Sequence, residues 1–489
     1  MAVIGSAQAV NIVISILRMK VLAILLGPTG VGLLSIYNSL QGMVGTAAGL
    51  GMGSSGVRQI ASAKGEEREL SRVRRVLLIA HLVQGVLAML GVWLLRARIS
   101  EWLFGDRSYA VEVGLIGLAI VLTLLGTAQT ALLQGMRRIG DLGRVTVLSA
   151  LIGTIAGLAT VWFYGESGLV GFVVIQPLAT IVIAIRYTRR LPKPAAARPS
   201  LAEIWGVWKP MANLGVAFML GGLATTGTLL IVRGLITQEL GLEAAGQFAA
   251  AWGITMTYVG FLLGAMAADY YPRLAEVIND RATATQLMND QAQLGLAIGG
   301  PVLLLLIGLA PWAVKLLYST EFAPAAELLQ WQTVGNVFKL ASWALAFSFV
   351  AAARSKTYLV MELNFNIVFL TMVWFLMPTL GLQITGIAFF VGYIVYFATV
   401  YSLAHTLQGF RWQNLSLLLL TLHVTLALAL LTVARTSPEA AAIASVCLAL
   451  ITGLLGLRIV LTKMGPGGRV AARFARIYAA IGWPIRRIP

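Results

Sequence analysis

The chain has 489 residues, of which 58% are hydrophobic and only 11% are charged, with a net charge of +17 and a mean hydropathy of +0.85. An ordinary soluble protein carries roughly 25% charged residues. A water-soluble fold is excluded, because the polar side chains are too few to cover this much apolar surface. With one cysteine, Cys447, the chain cannot form an internal disulfide.

Apolar stretches of about 20 residues recur along the chain, a pattern typical of membrane-spanning helices. In lipid, backbone N–H and C=O groups must be satisfied within such a stretch, which favours a helix over an open strand. The sequence therefore predicts an all-α polytopic membrane protein with about fourteen spans, near residues 2–26, 31–55, 76–97, 111–134, 145–164, 168–187, 208–235, 244–270, 291–317, 325–351, 358–378, 384–407, 414–434 and 440–462.

The chain also matches itself at an offset of about 215 residues, which indicates an internal duplication. The matching positions include Gly27 with Gly241, Gly32 with Gly246 and Arg18 with Arg233. Six spans in each copy predict two six-helix lobes in the same orientation, related by a pseudo-two-fold axis along the membrane normal, with the substrate site between them. The last two spans fall outside the duplication.

This organisation predicts five segments along the chain. They are an N-lobe at 1–187, a basic and proline-rich linker at 188–207, a C-lobe at 208–407, two further spans at 408–462 and a basic amphipathic tail at 463–489. Proline prevents the linker from continuing as a helix. A basic amphipathic helix in the tail would anchor it at the membrane surface.

Lysine and arginine concentrate on one predicted side of the membrane. The opposite side carries only four basic residues, Arg96, Arg98, Arg107 and Arg435. The positive-inside rule therefore predicts cytoplasmic N- and C-termini, and we expect the bacterial inner membrane. Because topology accounts for the net charge, no nucleic-acid partner is invoked.

Ionisable residues inside spans are costly and mark functional sites. Asn11, Ser15 and Arg18 share one face of the first span. Lys20 lies about 200° around the same helix from Arg18, at 100° per residue, and is expected to face elsewhere. Because Arg18 lies near the end of its predicted span, the other interpretation is that it ends a helix at the outer surface.

The second half of the chain has its own polar positions within spans. Asn336 and Lys339 follow one stripe of the tenth span, and Arg233 lies in the seventh. Arg233 is also close to a predicted span end, so the surface interpretation applies to it too. The acids Asp269 and Glu362 lie only at predicted span ends.

With no carboxylate at the centre of a span, the cations are expected to lack acidic partners and to bind an anion. Arginine and lysine are natural phosphate ligands. The sequence contains no P-loop, HExxH, GxSxG or paired CxxC motif. We therefore expect a non-enzymatic protein with no metal site and no cofactor.

The segment 18–38, with its turn Gly27-Pro28-Thr29-Gly30-Val31-Gly32, resembles the first hairpin of the Wzx-type O-antigen flippases. These belong to the multidrug/oligosaccharidyl-lipid/polysaccharide (MOP) exporter superfamily. Segments 246–252 and 271–274 continue the resemblance, and the plan of six, six and two spans covers the full length. The resemblance implies a flippase that moves an undecaprenyl-pyrophosphate-linked O-antigen repeat unit to the periplasmic leaflet by alternating access.

In such a family, basic cavity residues are expected near the pyrophosphate, and Arg18 and Arg233 match such positions. The remaining candidate substrate-binding residues are Lys339, Lys20, Asn11, Ser15, Asn38 and Asn336. Val232 stands where an acid is expected, so this position gives no support to proton coupling. A polysaccharide polymerase and a chain-length regulator are the expected partners.

Two alternatives stay open. One is a flippase for another polyprenyl-linked precursor, such as lipid II or a capsule or exopolysaccharide unit. The other is a multidrug or organic-cation exporter of the same superfamily, for which we would expect a deep carboxylate.

Overall fold

The computed structural model describes residues 2–191, 200–465 and 469–480, together with Trp483. Throughout these residues the chain is helical, with turns and three short 3-10 helices between the longer elements. The α-helices are α1 (Ala2–Gly49), α2 (Met52–Ser62), α3 (Glu67–Phe104), α4 (Ala110–Gly135), α5 (Ile139–Tyr164), α6 (Gly168–Thr188), α7 (Leu201–Val277), α8 (Arg281–Gly308), α9 (Ala310–Leu317), α10 (Ala325–Ala351), α11 (Ser355–Leu380), α12 (Ile384–Gln408), α13 (Asn414–Thr436), α14 (Pro438–Met464) and α15 (Arg469–Ala480).

Within the described residues, ten helical segments are long and apolar enough to cross a membrane. The predicted all-α polytopic membrane fold is confirmed. Four of these segments run for 44 to 53 residues, which is enough for two crossings each, and they are Ser6–Gly49, Ile139–Thr188, Phe218–Ala267 and Lys356–Gln408. The segments thus accommodate fourteen crossings, although that number stays a prediction.

Each of these four segments contains an internal break, and the breaks follow the sequence repeat. Gly27 in α1 has φ 61° and ψ −165°, and Gly241 in α7 has φ 86° and ψ 171°. Glycine adopts such angles without the strain of a side chain. The other two breaks are the 3-10 helices Gly165–Ser167 and Gly381–Gln383, again about 215 residues apart.

Two helix junctions repeat the same hydrogen bond as well. Between α4 and α5, the N–H of Arg138 donates to the C=O of Leu133 at 2.8 Å. Between α10 and α11, the N–H of Arg354 donates to the C=O of Phe349 at 2.8 Å. The residue before each donor is left-handed, with φ 56° in the first junction and 55° in the second. The duplication seen in the sequence therefore extends to backbone conformation.

The chain divides into two compact units. The first unit consists of Met1–Ala250 and Leu317–Phe322, and the second of Ala251–Leu316 and Ala323–Pro489. In the first unit α3 packs on α4, and α6 packs on both α4 and α5; in the second α8 packs on α10, and α12 packs on both α10 and α11. The second unit also contains α13 and α14, which pack on α8.

The lobe boundaries predicted at 187 and 208 stay a prediction. Residues 192–199 of the predicted linker lie outside the described residues, as do 466–468, 481–482 and 484–489 of the predicted tail. The described part of the tail forms α15, in which the hydroxyl of Tyr478 donates to the C=O of Leu454 on α14. This contact ties the described tail helix to the last long helix.

Candidate functional site

Arg18 lies on α1, nine residues before the break at Gly27, and hence roughly 13 Å along the helix from it. Its guanidinium donates to Ser15 Oγ at 3.1 Å and to Gln176 Oε1 at 3.4 Å, and lies 5.8 Å from the ring centre of Phe172. Its Nε is buried and has no hydrogen-bond partner among the described residues. Neutral groups position the guanidinium, and its buried Nε–H is among the donors left for a ligand.

Arg233 lies on α7, eight residues before the break at Gly241. One Nη donates to the C=O of Ser35 at 3.0 Å and to the hydroxyl of Ser39. Like that of Arg18, its Nε is buried and lacks a described partner. The two arginines therefore have the same kind of surroundings in corresponding helices of the repeat.

Neither arginine has an acidic partner in the described part of the chain, since no ion pair within 4.0 Å there includes Arg18 or Arg233. Both belong to the first unit, and both contact α1 residues. A cation kept in a membrane helix without an acid is costly, and an anionic ligand would remove that cost.

The repeated glycines bring α1 and α7 into backbone contact within the first unit. A Cβ built on Gly246 would lie 1.9 Å from the C=O of Pro28, and one built on Gly32 would lie 2.2 Å from the C=O of Leu242. Only glycine permits this approach at both positions. Arg233 reaches Ser35 and so lies beside this α1–α7 seam.

Lys339 on α10 has different surroundings. Its Nζ lies 3.8 Å from Met256 Sδ and 5.2 Å from the ring centre of Tyr393. Glu362, about two turns into α11, is close enough to attract the ammonium group and also accepts a hydrogen bond from Tyr396 at 3.0 Å. Lys339 forms no ion pair within 4.0 Å in the described part of the chain, but packing of α11 on α10 brings Glu362 into its electrostatic surroundings.

The remaining candidates are dispersed. Lys20 donates to the backbone C=O of Tyr318, away from Arg18. Asn38 is exposed, and Asn11 is half-buried with no side-chain hydrogen bond to a described residue. Asn336 on α10 is fully buried, and both of its side-chain amide atoms lack described partners. Each of these four positions stays a prediction as a substrate contact.

Three residues that lie close to the cations were not predicted from the sequence as their neighbours. Gln176 interrupts an apolar sequence directly before Pro177, and this polar residue in a span was a usable signal. Phe172 gives no such signal, because aromatic residues are common in apolar helices. Glu362 was visible in the sequence, but its closeness to Lys339 depends on how two helices pack. Among the described residues, no three His, Cys, Asp or Glu side chains cluster to hold a metal ion.

Comparison with known proteins gives matches at both the sequence and the structure level. A family model described as polysaccharide biosynthesis protein matches residues 21–327. Proteins named lipid III flippase, from Escherichia coli (strain K12) and Shigella flexneri, are each 25% identical over 404 residues, which cover 81% of this chain and 94% of theirs.

Among solved structures, lipid II flippase MurJ in an inward closed conformation is 13% identical with a TM-score of 0.69, covering 94% of this chain and 99% of its own. An inward-facing multidrug resistance MATE family transporter of the MOP superfamily is 17% identical with a TM-score of 0.68, covering 82% of this chain and 94% of its own. These TM-scores show a shared fold. The predicted likeness to a transporter of the MOP superfamily is confirmed at the level of the fold.

Proposed function

The chain belongs to the polysaccharide biosynthesis protein family, and on that premise we propose that it is a flippase for a lipid-linked oligosaccharide. In its finer form the proposal specifies an undecaprenyl-pyrophosphate-linked repeat unit of the O-antigen type. The unit moves from the cytoplasmic to the periplasmic leaflet of the inner membrane by alternating access. The relatives named lipid III flippase support a lipid-linked substrate of this class.

The observation that carries the proposal is the pair Arg18 and Arg233. Both have a buried Nε without a described partner, and neither forms an ion pair with a described acid. A pyrophosphate offers anionic oxygens to both, and a charge-assisted hydrogen bond of this kind contributes roughly 1.5 to 3 kcal/mol. Moving an anion out of a negative interior is favoured by about 2.3 kcal/mol per charge per 100 mV, so the membrane potential can bias the cycle.

A second precursor class fits the same chemistry. Any polyprenyl-linked saccharide with a phosphate or pyrophosphate would satisfy the arginines, and the name of the 25% identical relatives favours lipid III among them. These substrates differ in their sugar portion. Arg18 and Arg233 would contact the phosphate groups, which all of them share, and so would not distinguish one sugar from another.

The test is transfer between the leaflets of proteoliposomes containing the purified chain. A labelled undecaprenyl-pyrophosphate-linked repeat unit of the O-antigen type is compared with lipid III, with lipid II and with a labelled organic cation. We expect transfer of the first substrate in protein-containing vesicles and none in empty ones. Transfer restricted to lipid III or to lipid II would replace the O-antigen form of the proposal by that precursor, and transfer of the cation alone would contradict the flippase itself.

The orientation of the chain is part of the proposal. In a Cys447→Ser background, the substitution Arg190→Cys within the predicted linker should make the chain react with a membrane-impermeant thiol reagent only in inside-out vesicles. Reaction in intact spheroplasts would contradict the cytoplasmic side proposed for the linker.

We also propose association with a polysaccharide polymerase and a chain-length regulator, which crosslinking in the native membrane would detect.

A further inference from the structure

The second unit contains a cavity of about 750 Å³ that the proposed transport function does not use. Its lining comes from α8, α13 and α14, with Trp483 at one side. One part of the lining is polar, contributed by Gln286, Gln293, Gln413, Arg458, Thr462 and Lys463, and the other is apolar, contributed by Leu415, Leu418, Leu419, Leu422, Leu455 and Ile459. A cavity of this size and mixed lining suits part of an amphiphile.

The net positive charge of the polar part of the lining comes from Arg458. Lys463 is paired with Asp290, which compensates its charge locally. Arg458 packs against the ring of Trp483 at 4.2 Å, and its buried Nε has no hydrogen-bond partner among the described residues. No ion pair of the described residues includes Arg458. The polar part therefore carries one uncompensated positive charge, which matches a single phosphodiester.

Gln293 adds a second requirement for the ligand, which is a hydrogen-bond donor. Its side chain is fully buried, and its Nε2 donates to Gln413 at 3.0 Å and to Ser416 at 2.8 Å. These two bonds fix the amide so that Oε1 is the atom without a described partner. A buried acceptor left in this way calls for a donor, such as a hydroxyl group.

The apolar part is continuous with the lipid-facing surface. Leu418 is 64% exposed, although it also lines the cavity. A ligand seated with its phosphate at Arg458 could therefore extend a hydrocarbon chain along α13 into the bilayer. An inorganic phosphate would fill only the polar part.

We propose that the cavity between α8, α13 and α14 binds a membrane glycerophospholipid whose headgroup carries one anionic phosphate and free hydroxyl groups. Arg458 binds the phosphate, Gln293 accepts a hydrogen bond from a headgroup hydroxyl, and Leu418 with Leu422 contacts an acyl chain. The site lies within helices of the second unit and is independent of the arginines of the first unit.

The experiment is native mass spectrometry of the delipidated full-length chain titrated with phosphatidylglycerol. Phosphatidylcholine with the same acyl chains is the neutral comparison, and inorganic phosphate is the competitor. Arg458→Gln should weaken phosphatidylglycerol binding about tenfold or more, since a charge-assisted hydrogen bond is lost. Arg458→Lys should weaken it less. The matched control Arg273→Gln removes an exposed charge that is paired with Asp269 outside the cavity, and should leave binding unchanged.

Leu422→Trp fills the cavity without changing charge and should also reduce binding. If Arg458→Gln does not fold, Leu422→Trp decides the matter, and undiminished binding overturns the proposal. Equal affinity for the two phospholipids overturns it, as does an equal effect of Arg458→Gln and Arg273→Gln. Displacement of the lipid by inorganic phosphate at equal concentration would make the site a phosphate site and likewise overturn it. No step of this measurement depends on flipping. The lipid-binding proposal can therefore fail while the flippase proposal holds, and the reverse is also possible.

Discussion

The cations of the two units differ in what surrounds them. Arg18 and Arg233 in the first unit are positioned by hydroxyl, amide and carbonyl groups, and no described acid forms an ion pair with either. Lys339 in the second unit has Glu362 nearby and an aromatic ring beside its ammonium group. Neutral positioning leaves the positive charge available for a ligand, whereas a carboxylate in the neighbourhood of a cation opposes the binding of an anion.

A basic residue in a membrane helix is therefore not by itself evidence for an anion site. The same sequence signal, a cation within a predicted span, led to all three residues. Of these three residues, only Lys339 has a described carboxylate in its electrostatic surroundings. Substitutions that change the sign or the neighbour of each cation therefore test whether the two units differ in this way.

The largest effect is expected for the sign of the charge at Arg233. Arg233→Ala should slow transfer of the lipid-linked oligosaccharide roughly 10- to 100-fold, which corresponds to one charge-assisted contact. Arg233→Glu should be slower still through repulsion, and Arg233→Lys should retain part of the rate without the bidentate geometry. The measurement is the initial rate in proteoliposomes at matched protein levels.

The control for this series is Arg273→Ala, which removes an exposed arginine that pairs with Asp269. It should transfer substrate at the wild-type rate. A rate for Arg233→Glu equal to that of the wild type would reject an anion site at Arg233 and remove the difference between the units.

Arg18 and Lys20 allow a comparison within one helix. Arg18→Ala should reduce the transfer rate by at least about tenfold, because the residue presents an unused donor. Lys20→Ala should reduce it less, since Lys20 donates to the backbone of Tyr318. Equal losses would show that any cation of α1 serves, and the neutral positioning of Arg18 would have no special role.

A smaller effect is expected at the glycine seam that holds α1 against α7. Gly246→Ala places a Cβ 1.9 Å from the C=O of Pro28, so the backbones must separate. We expect a loss of about 1 to 3 kcal/mol in stability, typical of overpacking, visible as a lower melting temperature in detergent. Gly260→Ala, also in α7 but facing open space, is the matched control and should not destabilise. Similar melting temperatures for both variants would contradict the close approach.

The smallest effect is expected in the second unit. Lys339→Met alone should destabilise the chain by leaving Glu362 without its cation, and adding Glu362→Gln should recover part of that loss. Coupling between neighbouring groups of this kind is about 0.5 to 3 kcal/mol. Unfolding of the two single variants and the double variant measures it. Strict additivity would show that Glu362 does not compensate Lys339, and the two units would then resemble each other.

Much of the fold was predictable because it follows from local composition. Spans are set by the length of apolar stretches, and the breaks in α1 and α7 are set by Gly27 and Gly241, whose φ values only glycine adopts easily. The internal repeat was visible in the sequence as matching residues separated by a nearly constant number of positions. These features depend on residues close together in the sequence, so the sequence contains them directly.

The surroundings of the candidate site were predictable only in part. The helical period placed Ser15 beside Arg18, because both lie on one face one turn apart. The contact of Arg18 with Gln176 joins residues 158 positions apart, and that of Arg233 with Ser39 joins residues 194 apart. No periodicity reports which face of one helix meets which face of another.

Local sequence features thus specify the membrane class, the helical plan, the duplication and the candidate cations Arg18, Arg233 and Lys339. Tertiary structure alone decided which cations have a carboxylate nearby, since Glu362 approaches Lys339 only through the packing of α10 and α11. It alone also formed the cavity around Arg458, whose lining residues span almost two hundred positions of the chain. The physical reason is that helix formation depends on neighbours in sequence, whereas charge compensation and cavity shape depend on which side chains packing brings within a few ångströms.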